Sequence, residues 1–504
     1  MTQSDSGAAW RKLAAFDPTP LKQLFADDPD RARSLVRRVA GIRFDFSKTH
    51  LDEALIDGFG ELADAMGYKA KREALFAGAE INTSEHRPAT HVAERGQGSR
   101  EDVDLATKRR QRMRSLVDAV EGEAFGPIEA VLHIGIGGSA LGPDLIIDAL
   151  GRDSDRYEVR VLSNIDGEAF DDAVNGLAPA TTLVIAVSKT FTTVETLTNT
   201  EAAIEWLVEG GVDDAYGQVI AVTAAPEKAV EFGIDESRVL PFAEGVGGRY
   251  SLWSAVGLSI ALALGWTAFE ELLEGGAAMD RHVRNAAGTD NVALLAAFAD
   301  QNYANLRHAE TRALFAYDER LRLLPSYLQQ LEMESNGKSA TADGHRLEGF
   351  KSAPILWGGT GTDAQHAVFQ LLHQGTHLVP VEFVAVIEQE DSLDPRHHRM
   401  LLMNAFAQGA ALMVGRDSDD AARWYPGDRP SITTLLDRLD ARTLGALIAF
   451  YEHRTFANAM LVGTNPFDQF GVELGKEMAR NADDPEAREQ FDAATRALLD
   501  EAGL

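Results

Sequence analysis

The chain has 504 residues, 45% of them hydrophobic, and a formal net charge of −30 at pH 7, so it has room for two or three domains or subdomains with substantial cores. That charge balance argues against a nucleic-acid or anionic-membrane surface, which needs clustered Lys and Arg; an anionic ligand must meet local donors. Cysteine is absent, which removes disulfides, thiolate zinc sites and Cys nucleophiles together and fits a reducing cytoplasm.

In chain order, the stretch from Met1 to Trp10 shows no basic segment followed by an apolar core, so no secretory signal is expected. Residues 1 to about 120 read as helical and charged, with loop signals at Asp17-Pro18-Thr19-Pro20 and from Glu94 to Glu101. From Ile128 short β-rich runs alternate with helical patterns: Val131–Ile134, Val159–Leu162, Leu183–Val187 and Val219–Val222. Such alternation implies a parallel sheet with helices on both faces. The apolar stretch from Ser254 to Trp266 is too short to span a bilayer and reads as a buried helix. A second strand series, Ala313–Tyr317, Pro354–Trp357 and Val381–Val386, implies a second sheet. An aromatic-rich helix follows from Leu444 to Ala459, another starts at Asn465, and Asp484 to Leu504 reads as a charged helical arm.

Ligands gather at the carboxyl ends of strands in open parallel sheets, and three loops there are rich in Gly, Ser or Thr. The first, Gly135-Ile136-Gly137-Gly138-Ser139-Ala140-Leu141-Gly142-Pro143, lets backbone approach a ligand closely. A Walker A reading fails because Pro143 and Asp144 stand where Lys and Ser or Thr belong. A dinucleotide reading needs Ala140 in place of the third Gly, with Asp166 as the ribose-binding acid, and stays open as a minor alternative. The second, Ser188-Lys189-Thr190-Phe191-Thr192-Thr193-Val194-Glu195-Thr196, joins a buried strand to a helix; its hydroxyls, ammonium and free helix amides suit a phosphate monoester. Thr192 and Glu195 can also form a capping box, and both readings can hold. In the third, Gly247-Gly248-Arg249-Tyr250-Ser251, Arg249 is either a surface residue beside a Ser251 cap or a permanent cation delivered to a site.

Gln330-Leu331-Glu332-Met333-Glu334-Ser335-Asn336-Gly337-Lys338 puts carboxylates where a helix runs out into Asn-Gly, which supplies a left-handed stop. Gln330 and Glu334 share a face there and Glu332 points away. A Glu on a helix is usually a solvated surface charge, and a held one is a candidate proton-shuttling base. Further on, Gly358-Gly359-Thr360-Gly361-Thr362 joins a strand to a helix with His366 near its start; His366 is the acid–base candidate, while His373, two turns along, reads as structural. Asn465 as N-cap and Pro466 at N1 open the last helix, with Gln469, Glu473 and Lys476 on one face. Adjacent His397 and His398 diverge on a helix, and no H-E-x-x-H spacing occurs, so no metal site is argued.

Taken together, the glycine loop, the Ser188–Thr196 block, Gly247–Ser254, Met333–Lys338, Gln365–Thr376 and Asn465–Lys476 resemble the phosphoglucose isomerase family, in that family's order, from about residue 120 onward. The resemblance implies an α/β fold of two αβα sandwich subdomains of sugar-isomerase type with parallel-rich sheets: residues 121–290 and 291–476, an N-terminal helical extension (1–120) and a C-terminal helical arm (477–504). It implies that Ser188, Lys189, Thr190 and Thr193 hold the substrate phosphate, with Gly138, Ser139, Gly248, Gln330 and Gln469 near the sugar. Glu334 is then the isomerisation base, Arg249 the stabilising cation, and Lys476 and His366, the latter from the other subunit of a homodimer, assist ring opening. Phe470 departs from the Trp expected in many members, which touches packing rather than chemistry.

The activity so implied is cofactor- and metal-independent interconversion of glucose 6-phosphate and fructose 6-phosphate, in glycolysis and gluconeogenesis in the cytoplasm, with no nucleic-acid or membrane partner. The residue types suit it. One carboxylate can take the C2 proton and return it to C1 through a cis-enediol, and a fixed cation can stabilise the oxyanion. Two rivals share most motifs: a sugar-phosphate sensor, which needs the phosphate block but no base, and an isomerase that also accepts mannose 6-phosphate.

Overall fold

The apolar runs are short, β-branched and closed by Gly-, Ser- or Thr-rich turns, and they fold as strands of two sheets. The structure, a computed structural model, describes residues 3–389, 393–482 and 484–504. Its strands are β1 (Val36–Val39), β2 (Ile42–Asp45), β3 (Ala130–Gly135), β4 (Glu158–Leu162), β5 (Thr182–Val187), β6 (Val219–Thr223), β7 (Val239–Pro241), β8 (Thr311–Tyr317), β9 (Ile355–Thr360), β10 (Val381–Val386) and β11 (Ser431–Leu436). The first sheet runs β4-β3-β5-β6-β7 with every pair parallel. The second runs β1-β2-β11-β10-β8-β9, parallel from β11 to β9. The α/β class with two parallel-rich sheets is therefore as expected.

The helical reading of residues 1–120 holds for most of its length, through helices such as Glu53–Ala65 and Arg100–Glu121. It is corrected at 36–45. There β1 and β2 pair antiparallel, and β2 joins β11 antiparallel. Ala40 and Gly41 both take positive φ, 50° and 78°, the backbone of a two-residue hairpin turn whose twist matches its strands. Three Arg in ten residues mask the strand in the sequence, as suits a charged edge, yet Ile42 and Phe44 alternate inward.

The stretch from Ser254 to Trp266 forms a 3-10 turn, Ala255–Gly257, and the buried helix Leu258–Leu264. Among the described residues no helix is long and apolar enough to cross a membrane. Helix Ala441–Val462 is opened by Asp440 and Thr443 as a capping box and is buried almost throughout. It crosses helix Trp266–Asn285 at two glycines. A Cβ on Gly275 would lie 1.8 Å from the Arg442 carbonyl oxygen, and one on Gly445 would lie 2.1 Å from that of Leu272. Only glycine lets these backbones approach so closely.

The chain divides into two compact units, Met1–Pro466, which holds both sheets, and Phe467–Leu504. The second unit consists of a 3-10 turn at Phe470–Val472 and helices Glu473–Asn481, Pro485–Arg488 and Ala493–Ala502.

Candidate active site

The glycine loop leaves β3 and makes one 3-10 turn, Gly137–Ser139. A Cβ on Gly138 would lie 2.2 Å from the Gly248 carbonyl carbon and 2.4 Å from the Arg249 amide nitrogen. Backbone therefore rests on backbone where the first and third loops meet, and no side chain fits between them. Gly137 stands over Gln330, whose Nε2 would be 2.8 Å from an added Cβ. Beneath the loop, His133 is fully buried, and its Nε2 donates to the Ser139 carbonyl at 2.7 Å. Burial pushes this imidazole down to about 4, so it is a neutral donor. Sequence reasoning passed over His133; a histidine inside an otherwise apolar strand was the available signal.

Arg249 lies just beyond this contact and is buried, which excludes the surface reading. Ser251 does not cap the following helix: its hydroxyl donates to the Gly248 carbonyl at 2.7 Å, and Ser254 caps the next turn instead. The Arg249 guanidinium donates to Ser335 Oγ through Nε and to the Pro466 carbonyl through Nη2, both at 2.6 Å. Its Nη1 stands 3.4 Å from Glu334 Oε1.

Helix Leu324–Gln329 continues into a π turn, Gln330–Glu334, and two more helical residues. Single π turns inside helices are frequent at functional sites. The left-handed stop expected at Asn336-Gly337 is corrected: Gly337 does not have positive φ. It is small because an added Cβ would sit 2.3 Å from the Met333 carbonyl oxygen. The two carboxylates face opposite ways, as helical facing implied, but Glu332 is not turned to solvent. Glu334 keeps 18% of its side chain exposed, beside Arg249, whereas Glu332 is only 3% exposed. Glu332 is thus no solvated neighbour; its oxygens accept from Asn336 Nδ2 at 3.0 Å and Thr455 Oγ1 at 3.1 Å.

The second loop follows β5 into helix Val194–Glu209, whose N-cap is Thr193 with no side-chain cap bond. The Thr192–Glu195 capping box therefore does not form, and the first-turn amides keep the electropositive character of an uncapped N-terminus. Hydroxyls converge there: Ser188 Oγ is 3.1 Å from Thr193 Oγ1, and Thr190 Oγ1 is 2.7 Å from Thr192 Oγ1. Lys189 Nζ donates to the carbonyls of Glu244 and Val246, at 2.7 and 3.0 Å, tying this block to the segment that leads into Arg249. Burial, assisted by Arg87, brings the Lys189 amine down to about 8.

His366 ends a 3-10 turn, Asp363–His366, and is exposed; among the described residues its side chain makes no hydrogen bond or ion pair. His373 sits in the last turn of helix Phe369–Gln374, its Nε2 2.8 Å from Gln408 Oε1, in the structural role expected of it. A small pocket lined by Asp300, Arg312, Glu382 and Arg454 lies at the amino ends of β8, β10 and β11, away from these strand-end loops.

The family model for phosphoglucose isomerase matches residues 45–499. The chain belongs to the phosphoglucose isomerase family. It is 64% identical over 496 residues to the glucose-6-phosphate isomerase of Rhizorhabdus wittichii, covering 98% of this chain and 99% of that protein. Over 492 residues it is 57% identical to the enzyme of that name from Zymomonas mobilis, covering 98% and 97%. A crystal structure of a glucose-6-phosphate isomerase from Chlamydia trachomatis superposes with a TM-score of 0.89 at 31% identity, covering 96% of this chain and 97% of that one. The phosphoglucose isomerase match begins at residue 45, so the expectation that it starts near 120 is corrected: much of the N-terminal segment belongs to it.

Of the residues that the phosphoglucose isomerase resemblance implies, Gly138, Gly248, Arg249, Gln330 and Glu334 meet in one place, and Lys189 links the phosphate block to it. Gln469 and Lys476 fall in the second unit, Phe467–Leu504. There the helix expected from Asn465 starts only at Glu473. Gln469 precedes it in backbone that is neither helical nor extended, φ −154° and ψ 36°, so Gln469 and Lys476 do not share a helical face. The Pro466 carbonyl is taken by Arg249, which draws this segment away from helical register.

Proposed function

We propose that this protein reversibly interconverts glucose 6-phosphate and fructose 6-phosphate through a cis-enediol, with Glu334 as the base. The observation that carries the reading is a partly exposed carboxylate 3.4 Å from a buried guanidinium, beside loops whose backbones only glycine allows to meet. From the open-chain aldose, Glu334 takes the C2 proton, the C1–C2 double bond forms, and charge moves onto O1. Arg249 stabilises that oxyanion without reorganising, because Ser335 and Pro466 already fix it. O1 takes up a proton to give the cis-enediol, O2 gives one up, and return of the proton from Glu334 to C1 as the C2–O2 double bond forms gives the ketose.

Ser188, Lys189, Thr190 and Thr193 hold the phosphate, whose binding energy orients the remote carbons. Gly138, Ser139, Gly248, Gln330 and Gln469 line the sugar. Lys476, together with His366 of the partner subunit, opens the ring. A homodimer is supported by helix Pro395–Val414, which exposes Met400, Met403 and Phe406; Gln365, next to His366, reaches Asn404 on that helix at 3.3 Å. The protein acts in the cytoplasm, in glycolysis and gluconeogenesis, without a metal or cofactor. A sensing role is disfavoured because it gives no reason to hold Glu334 beside Arg249. In a coupled assay with excess chelator, glucose 6-phosphate is consumed at an undiminished rate; absence of turnover by folded protein rejects the reading.

A further inference from the structure

The turn that carries Glu334 faces two ways. On one side Glu334 and Ser335 meet Arg249. On the other, Glu332 and Asn336 meet helix Ala441–Val462: Glu332 Oε2 accepts from Thr455 Oγ1 at 3.1 Å, and Asn336 Nδ2 donates to the Thr455 carbonyl at 3.0 Å. Glu332 also stands 3.7 Å from Arg312 Nη2. Arg312 in turn grips Asp300 at 2.8 and 2.9 Å. Arg454 binds the same Asp300 through Nε and Nη2, both at 2.7 Å, and reaches Glu382 at 2.6 Å. Glu332 is thus the end member of a buried chain of alternating charges.

Such chains are poor sources of stability, since removing each ion from water offsets much of the attraction, and their best-attested use is to specify register. Register is what is at stake here. Gln330–Glu334 is a π turn, and relaxing it to α spacing would rotate the residues beyond it by about 100°. Glu334 and Ser335 would then leave Arg249. We propose that Glu332, clamped by Thr455, Asn336 and Arg312, is a positioning residue that fixes this register and so sets Glu334 against the substrate carbon. The inference rests on the reading of Glu334 as the base.

Glu332→Gln places a second donor group among donors and can fail to fold, so the decisive variant is Thr455→Val, which removes one clamp and no charge. Measured on folded protein, kcat for glucose 6-phosphate falls about tenfold while KM stays within about twofold, because orientation at the reacting carbon is lost and phosphate binding is not. Thr455→Ser, which keeps the hydroxyl, restores kcat. A Thr455→Val protein with wild-type kcat and only a lower melting temperature overturns the inference, as does a parallel change in kcat and KM or a failure of Ser to rescue. No turnover by the wild-type protein would remove the isomerase reading and this inference together; equal kcat in wild type and Thr455→Val removes this inference alone.

Discussion

Glu332 and Glu334 are two residues apart and chemically identical, and their surroundings give them different work. Glu332 has its lone pairs occupied by Asn336 and Thr455 and is shut from water; Glu334 retains exposure and faces a cation. A group that must accept a proton from carbon needs a free lone pair and access, and only Glu334 has both. Lys189 shows environment acting on a cation. Burial disfavours its charged form, so the free amine titrates near 8 instead of 10.5. If Lys189 holds the phosphate as proposed, raising the pH through about 8 removes the ammonium that binds it, so substrate KM rises there, by up to about tenfold per further pH unit, while kcat holds. Lys189→Arg abolishes the break because guanidinium keeps its proton. A KM that stays flat from about pH 7 to about 9.5 in the wild type contradicts this assignment.

At the scale of elements, the strand–loop–helix units were legible because their signals are local. β5 is six buried residues, and the hydroxyl-rich block after it announces a helix start by composition alone, although that the start lacks a side-chain cap does not show there. The glycine loop was legible for the same reason, although its partner was not: that Gly138 would collide with Gly248 depends on two loops more than a hundred residues apart. The β1–β2 hairpin was hidden because its pairing partner, β11, lies near the other end of the chain, and charged edge positions imitate a helical surface. Helical periodicity separated Glu332 from Glu334, but it could not show that the far side meets helix Ala441–Val462 instead of water, because that contact joins residues more than a hundred positions apart. The helix start at Asn465 had good capping residues, and a tertiary bond from Arg249 to the Pro466 carbonyl overrode them.

On the scale of the whole molecule, the candidate active site draws on loops of both sheets and, in the proposed homodimer, on a second subunit. An exposed His366 beside an exposed apolar helix face gives that arrangement a test. In a two-fold dimer with shared sites, mixing and refolding Glu334→Gln with His366→Gln subunits regenerates one intact site per hybrid, about a quarter of wild-type activity from two nearly inactive parents. If His366 serves its own subunit, no hybrid site is intact and no activity returns. The central claim, a single carboxylate moving a proton between adjacent carbons, is tested most directly by incubating glucose 6-phosphate in D2O. Wild-type protein incorporates deuterium at C2 as it isomerises, and Glu334→Gln loses both incorporation and turnover by at least about a hundredfold. Wild-type exchange at C2 by the Glu334→Gln protein would contradict the account.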